Sequence, residues 1–476
     1  MEMRIGGEDL SSADDEWIVV NNPASGEVID RVPAGTADDI SRAVEAASAA
    51  VVSWAKKSMR ERGMVLFNAA AHVRDGHKDL ARLLTMEQGK PLREAVDEVR
   101  GFAHILEFYA GISAQASGEA IRLGASGDCI VTREPLGVCG AIIPWNMPVL
   151  IFGWKTGPAL LAGNTLVVKP ASATPLTTLR LARILEDAGL PPGVLNIVTG
   201  SGDVAGEALV THPDVKKISF TGNCETGARV RSLASAHPRE VILELGGSDP
   251  MIVMDDADLK KAAEGAVRGR FYNAGQTCTA VKRLFVHEKV APAFTRLLEE
   301  KISALNVGNG LGPKTDIGPL NSASGRDLIV RAVETVRENN EGTIVTGGAI
   351  LHGKAYEAGH FYHPTLVSDV TSDSCLMKDE IFGPVLPVMT VPNLESAIRE
   401  ANRSEYALGA SVWTQDLHTA KRVFDEVEAG VVWVNRHLTV PPEIPFGGTG
   451  RSGIGRENGY HAIDRYSRTK TLFLGW

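Results

Sequence analysis

From Val138 to Phe220 the sequence alternates short apolar runs with longer amphipathic ones, and this alternation limits the fold more than any other feature. Val138–Ile143, Thr165–Val168, Val194–Val198 and Lys217–Phe220 read as strands. Val149–Leu161, Thr177–Ala188 and Asp203–Thr211 read as helices, the second stopping before Gly189, Pro191 and Pro192. Strands separated by single helices need crossover connections, which are right-handed and give a mostly parallel sheet. The pattern restarts after Gly246. Leu259–Phe271 and Ala293–Ile302 read as helices, and Arg283–His287, Met389–Val391, Ala410–Trp413 and Val431–Val434 as strands. The expected fold class is therefore α/β, with a second α/β unit that has its own core. Gly308–Asn321 reads as an excursion and not a linker. Glu119–Pro135 reads as a strand pair outside the first unit, and Arg468–Leu474 as a short strand able to pair with another subunit.

Bulk properties narrow the class further. At about 100–200 residues per domain, 476 residues suggest two to four domains. The net charge of −9, from 49 basic and 58 acidic residues, argues against nucleic acid or an anionic membrane as partner. Cys129, Cys139, Cys224, Cys278 and Cys375 are odd in number and include no CxxC pair, so neither a disulfide framework nor a metal site is expected. The N-terminus, MEMRIGGEDLSSADDEW, has no apolar segment of the signal-peptide kind, and a cytoplasmic location is expected. The most apolar stretch, Val138–Val168, is interrupted by Pro144, Asn146, Pro148, Lys155 and Asn164. Buried core explains it better than a membrane span.

Several short segments carry chemistry. Cys278 follows Asn273-Ala274-Gly275-Gln276-Thr277, a turn of small and polar residues that could expose a thiol. A thiolate attacks carbonyls, yet a cysteine read alone is equally a small buried hydrophobe. Glu244 ends the apolar run Val241–Leu243 before Gly246-Gly247, where partial burial would raise its pKa toward that of a general base. In isolation it is also an ordinary loop glutamate. Asn146, inside Pro144-Trp145-Asn146-Met147-Pro148, places an amide at a strand's carboxyl end, either for an oxyanion or as a simple turn cap. Phe220-Thr221-Gly222-Asn223-Cys224-Glu225-Thr226-Gly227 fits a phosphate approach at a helix N-terminus, although it is not the GxGxxG fingerprint. Lys169 and Glu380-Ile381-Phe382-Gly383-Pro384 could be functional or structural.

Together these segments resemble the aldehyde dehydrogenase superfamily. The agreement runs over almost the whole chain: PWNMP, KPAS from Lys169 to Ser172, FTGNCETG, ELGGSDP, GQTC, EIFGP, and Pro445-Phe446-Gly447-Gly448 followed by Ser452-Gly453. Each segment is a moderate signal, and seven in one order make chance negligible.

The resemblance implies an NAD⁺- or NADP⁺-dependent enzyme that oxidises an aldehyde to a carboxylic acid. Its catalytic set would be Cys278 as nucleophile, Glu244 as base for the hydrolytic water, Asn146 with the Cys278 N–H as oxyanion hole, and Lys169. Ile143, Pro144, Trp145, Ala171 and Ser172 would border the cofactor with Lys169, which would hold the adenosine ribose. Gly202, Gly206, Phe220, Thr221, Gly222, Asn223 and Gly227 would approach it from the next elements, with Gly222 and its neighbours over the pyrophosphate. Leu245, Glu380 and Phe382 would meet the nicotinamide end. Met147, Leu150, Trp154, Phe271, Thr277 and Thr279 would line the substrate tunnel. This largely apolar lining favours a non-phosphorylated aliphatic or aromatic aldehyde.

A glutamate at position 244 favours the free acid over a coenzyme A thioester as product. Ser172 stands where many NAD⁺-specific members carry an acidic residue, so NADP⁺ is expected to be tolerated. The implied fold has a Rossmann-like cofactor domain (1–118 and 136–244), an α/β catalytic domain (245–445) and a small β extension (119–135 and 460–476) that joins subunits into a homodimer or homotetramer. Arg436 and His437 could bind an acidic group of a semialdehyde, although an exposed loop pair explains them more simply. A cysteine hydrolase would need neither Lys169 nor Glu380, and a non-catalytic protein on this fold would not need Cys278, Glu244 and Asn146.

Overall fold

A computed structural model describes residues 1–115 and 118–475. Residues 116 and 117, at the end of the expected segment 1–118, and residue 476, at the end of the expected segment 460–476, lie outside the described residues.

The first alternation folds into an eight-stranded sheet. Its order is Glu8–Leu10, Met3–Ile5, Leu195–Ile197, Thr165–Lys169, Val138–Ile142, Val215–Thr221, Glu240–Glu244 and Gly453–Ile454. The five strands from Leu195–Ile197 to Glu240–Glu244 are parallel, and antiparallel strands close both edges. Its central strands are buried at every position but Lys216 because packed layers, with separate core clusters, cover both faces. Chain order reverses between Val138–Ile142 and Val215–Thr221. A reversal of this kind opens a crevice at the carboxyl ends of the strands, where the Asn146 and Gly222 turns sit.

The second sheet has seven strands, ordered Thr343–Thr346, Thr365–Ser368, Val385–Val391, Val281–His287, Asp249–Val253, Gly409–Trp413 and Val431–Val434. Only Thr343–Thr346 runs antiparallel to its neighbour. The segments Gly246-Gly247, Thr277-Cys278 and Glu380–Phe382 all lie just ahead of strands of this sheet. The cleft is thus bounded by carboxyl ends of the first sheet and amino ends of the second.

Some elements differ from expectation. The strand expected at Met389–Val391 begins at Val385. The helix expected over Asp203–Thr211 is a π turn, Gly202–Gly206, continued by the α-helix Glu207–Thr211. Four helices fill the N-terminal region: Ala37–Lys56, Met59–Asp75, His77–Gln88 and Leu92–Ile112. The sequence makes the C-terminal strand able to pair with another subunit. It is Ser467–Leu474, and it pairs along its whole length with Asp128–Pro135 of its own chain, which also pairs with Glu119–Arg122. Among the described residues no helix is long and apolar enough to cross a membrane.

Candidate active site

The turn before Cys278 is held in an unfavourable conformation. Asn273, Ala274 and Gly275 have φ of 53°, 54° and 75°. The left-handed region costs a residue with a Cβ about 1–2 kcal/mol, and asparagine and glycine tolerate it best. A Cβ at Gly275 would also overlap the Gly383 carbonyl. Hydrogen bonds to three other segments, at Glu94, Asn146 and Asn321, oppose the strain. Glu94 accepts from the Asn273 N–H at 2.8 Å. Asn273 Nδ2 donates to the carbonyls of Asn146 (2.9 Å) and Gln276 (3.1 Å), and the Asn321 N–H donates to Gln276 Oε1 at 2.9 Å.

Asn146 joins the same knot. Its Nδ2 donates to the Gln276 carbonyl at 3.0 Å, which fixes the amide beside the nucleophile turn. An amide carries two N–H donors, and Asn146 and Cys278 line the same cavity.

That cavity, of about 540 Å³, lies in the cleft. It gathers Pro144, Trp145 and Asn146, then Thr221, Gly222 and Asn223, then Leu245, Glu380 and Phe382, around Cys278. Asn223 caps the helix Cys224–Ala234, accepting from the Thr226 N–H at 2.7 Å. The positive end of that helix therefore opens beside the cavity. Gly227, in its first turn, packs so closely on Leu245 that a Cβ would overlap that side chain. The Phe382 ring meets Trp145 edge to face, 5.6 Å between centroids. These residues fit a dinucleotide: a helix N-terminus for phosphate, a carboxylate for hydroxyls, and an aromatic wall.

Lys169, Ser172 and Gly206 form a second group at the neighbouring strand end, outside the lining of this cavity. Lys169 Nζ donates to the Pro170 carbonyl at 2.9 Å and to the Gly200 carbonyl at 3.4 Å, and Ser172 Oγ donates to the same Gly200 carbonyl at 3.0 Å. Gly206 packs on the Lys169 stem, and the Ile143 N–H bonds the Lys169 carbonyl, so the two strand ends are tied. Burial lowers the Lys169 pKa to about 8.

Glu244 ends its strand, as expected, and is buried. Neither carboxylate oxygen has a hydrogen-bond partner among the described residues. Burial, reinforced by Glu457, holds its pKa well above the usual carboxylate range. A second buried chain acts on it electrostatically: Lys155 Nζ donates to Ser219 Oγ (2.8 Å) and to Glu457 (2.9 Å), and Ser219 also bonds Glu457. Burial likewise pushes the Cys278 thiol up to about 12, with Lys282 as the main opposing influence. In this state Cys278 is a thiol at neutral pH.

Of the expected substrate residues, Thr277 and Thr279 flank Cys278 and are buried. Met147 Sδ lies 3.2 Å from Lys90 Nζ, Leu150 packs toward Gly101, and Trp154 stands against Phe446 with centroids 4.9 Å apart. None of these six residues lines the cavity around Cys278, and Phe271 packs into the second unit's core. The pair Arg436 and His437 is not an exposed loop pair. Arg436 is exposed, but His437 is buried between Ser411 Oγ (2.9 Å) and the Thr279 carbonyl (2.8 Å), and burial lowers its pKa to about 4.

Lys90, Glu98, Lys155, Lys282 and Glu457 escaped the sequence reading. Lys155 did leave a signal, since it breaks the apolar stretch Val138–Val168.

The aldehyde dehydrogenase family model matches residues 10–472. A betaine aldehyde dehydrogenase of Rhizobium etli is 41% identical over 99% of this chain and 96% of its own. An NADP-dependent enzyme of E. coli superposes with a TM-score of 0.97 at 38% identity, covering 100% of this chain and 98% of its own. PnpE of Pseudomonas sp. WBC-3, solved with nicotinamide adenine dinucleotide, superposes with a TM-score of 0.98 at 35% identity, covering 100% of this chain and 97% of its own. The fold and the matches define a nicotinamide-dependent oxidoreductase, and the chain belongs to the aldehyde dehydrogenase family. It oxidises an aldehyde with NAD(P)⁺, and the non-catalytic alternative is not favoured.

Proposed function

We propose that Cys278 is the nucleophile, Asn146 and the Cys278 N–H the oxyanion donors, and Glu244 the base for hydrolysis. The supporting observation is a single cavity lined by Cys278, Asn146 and Glu380. Residues 1–118 with 136–244 would hold the cofactor, 245–445 would supply the catalytic wall, and 119–135 with 460–476 would join subunits in a cytoplasmic homo-oligomer.

NAD(P)⁺, when bound, supplies the hydride acceptor. The helix N-terminus at Asn223 would hold its phosphates, Glu380 its nicotinamide ribose, and Phe382 would wall the ring. Lys169 and Ser172 would hold the adenosine ribose, and no charge at position 172 would repel a 2′-phosphate. Cys278 gives its proton to water, and its sulfur bonds the aldehyde carbon. The oxygen gains negative charge, which the Asn146 amide and the Cys278 N–H stabilise. Loss of hydride leaves a thioester on Cys278, dividing one hard step into two easier ones. Glu244, free of hydrogen-bond partners and raised in pKa, takes a proton from the water that attacks the thioester, releasing the acid and the thiol.

The apolar side chains of Ile151, Leu245 and Phe382, which line the cavity with Cys278, suit an uncharged aliphatic or aromatic aldehyde. The relatives' name makes betaine aldehyde a necessary member of any substrate panel. A semialdehyde finds no cationic His437, because burial keeps that ring neutral.

The deciding experiment follows absorbance at 340 nm with uncharged, quaternary-ammonium and acidic aldehydes, each with NAD⁺ and NADP⁺. Reduction is expected with both cofactors and absent in Cys278→Ala. Undiminished reduction in that variant would remove Cys278 from the mechanism.

A further inference from the structure

Lys282 lies four residues beyond Cys278 on the strand Val281–His287, and its side chain is 0% exposed. An ammonium has three N–H donors, and this one has three acceptors on two segments. Nζ donates to the Thr277 carbonyl at 3.0 Å, the Cys278 carbonyl at 2.6 Å and Glu380 Oε1 at 3.0 Å. Glu380 Oε1 also accepts from the Gly247 N–H at 3.1 Å. The nucleophile turn, the Glu380 turn and the Gly246-Gly247 turn thus meet at one buried cation, 5.5 Å from the centre of the Phe382 ring. Four charged groups act most strongly on the Cys278 thiol among the described residues. Lys282 favours the thiolate, while Asp249, Glu380 and Glu244 oppose it. The neighbouring His437 is neutral near pH 7.

A buried lysine is costly unless its charge is used. The two carbonyls could be satisfied by a neutral donor, and it is the Glu380 carboxylate that calls for an ammonium here.

We propose that Lys282 is a positioning residue of the reaction: it ties the nucleophile turn to Glu380 and keeps a fixed positive charge beside Cys278. The inference rests on the reading of Cys278 as nucleophile. Cofactor hydroxyls that draw on Glu380 compete for the same carboxylate, so the charge felt by the sulfur depends on what Glu380 binds.

The test is the pH dependence of iodoacetamide alkylation in the full-length protein without cofactor, with the alkylated residue located by mass spectrometry. Lys282→Met removes the charge and all three donors. Lys282→Gln removes the charge but keeps two of the three N–H donors for the carbonyls, and decides the matter if the methionine variant does not fold. Loss of a neighbouring cation disfavours the thiolate, and thiolate is the form that reacts. A folded Lys282→Gln protein is expected to alkylate at Cys278 about tenfold more slowly at each pH from about 7 to 9, where the thiol is the major form. A wild-type profile in Lys282→Gln would overturn the role of the charge. Alkylation of the wild-type protein only at another cysteine would instead overturn the assignment of the nucleophile.

Discussion

Glu244 is the residue whose environment says most about turnover. Its carboxyl is buried without a partner and its pKa is held well above the usual range, first by burial and then by Glu457. Only the ionised carboxylate can take a proton from water. Hydrolysis should therefore slow as the pH falls through that raised value, at a less acidic pH than an exposed glutamate would give. Glu244→Gln removes the base but leaves the thiol and the cofactor wall in place. Stopped-flow absorbance is expected to show one fast turnover of cofactor reduction, then a steady state about 10²–10⁴-fold slower, without the acid limb of the wild type. Steady turnover at the wild-type rate would eliminate Glu244 as the base. Cys278, Asn146, Glu244 and Glu380 could be picked out from sequence because each sits in a short segment with its own turn chemistry. Lys155 and Glu457 could not, since they are 302 residues apart and become a pair only when the helix Pro148–Ala162 meets the C-terminal segment. Lys282 was hidden for another reason: beside Arg283 at the start of a strand, it looks like an exposed edge residue until the fold buries it.

At the scale of elements, the helix Leu92–Ile112 supports the site without entering the cavity. Glu98 on this helix accepts from the Val149 (2.9 Å) and Leu150 (3.0 Å) N–H groups, so it caps the helix Pro148–Ala162. Lys90, just ahead of it, pairs with Glu98 and donates to the Asn146 carbonyl at 2.9 Å. Both side chains of the pair are fully buried. Breaking such a pair from one side leaves an uncompensated charge and costs about 3–5 kcal/mol. Lys90→Met is therefore expected to lower unfolding stability by about 3 kcal/mol in urea titration, and to reduce kcat more than it raises KM because the Asn146 turn loses a support. Arg74→Ala, which removes the partly exposed Arg74–Glu107 pair, should cost no more than about 1 kcal/mol. Equal losses for the two variants would refute the burial argument. None of this was legible in advance, because helix periodicity does not reveal which polar residue faces another element. The crossover helices of the first sheet were legible, because apolar runs and Gly or Pro stops mark their ends locally.

For the whole molecule, the open question is what covers the three-stranded sheet. Ser467–Leu474 and Glu119–Arg122 are its edges, and Asp128–Pro135 lies between them. Leu472 pairs with Ile130, and Ile130 with Ala120, so these three side chains form one cross-strand row on one face. Leu472 is 53% exposed and Ile130 40% exposed. Apolar rows on a projecting sheet with two open edges are what a second subunit would bury. The pairing of the C-terminal strand within its own chain does not remove this face, and it builds the third strand that makes the surface broad enough to dock. A homo-oligomer assembled there should lose mass when a charge enters the row. In sedimentation velocity, the wild-type protein is expected to run as a dimer or tetramer of the 50.8 kDa chain, and Leu472→Glu as a smaller species with an unchanged circular dichroism spectrum. The substitution lies on a solvent face, so its effect on the fold itself should be within about 0.5 kcal/mol. If wild type and variant sediment alike as oligomers, the contact lies elsewhere on the molecule. If both are monomers, the row is exposed in the working enzyme.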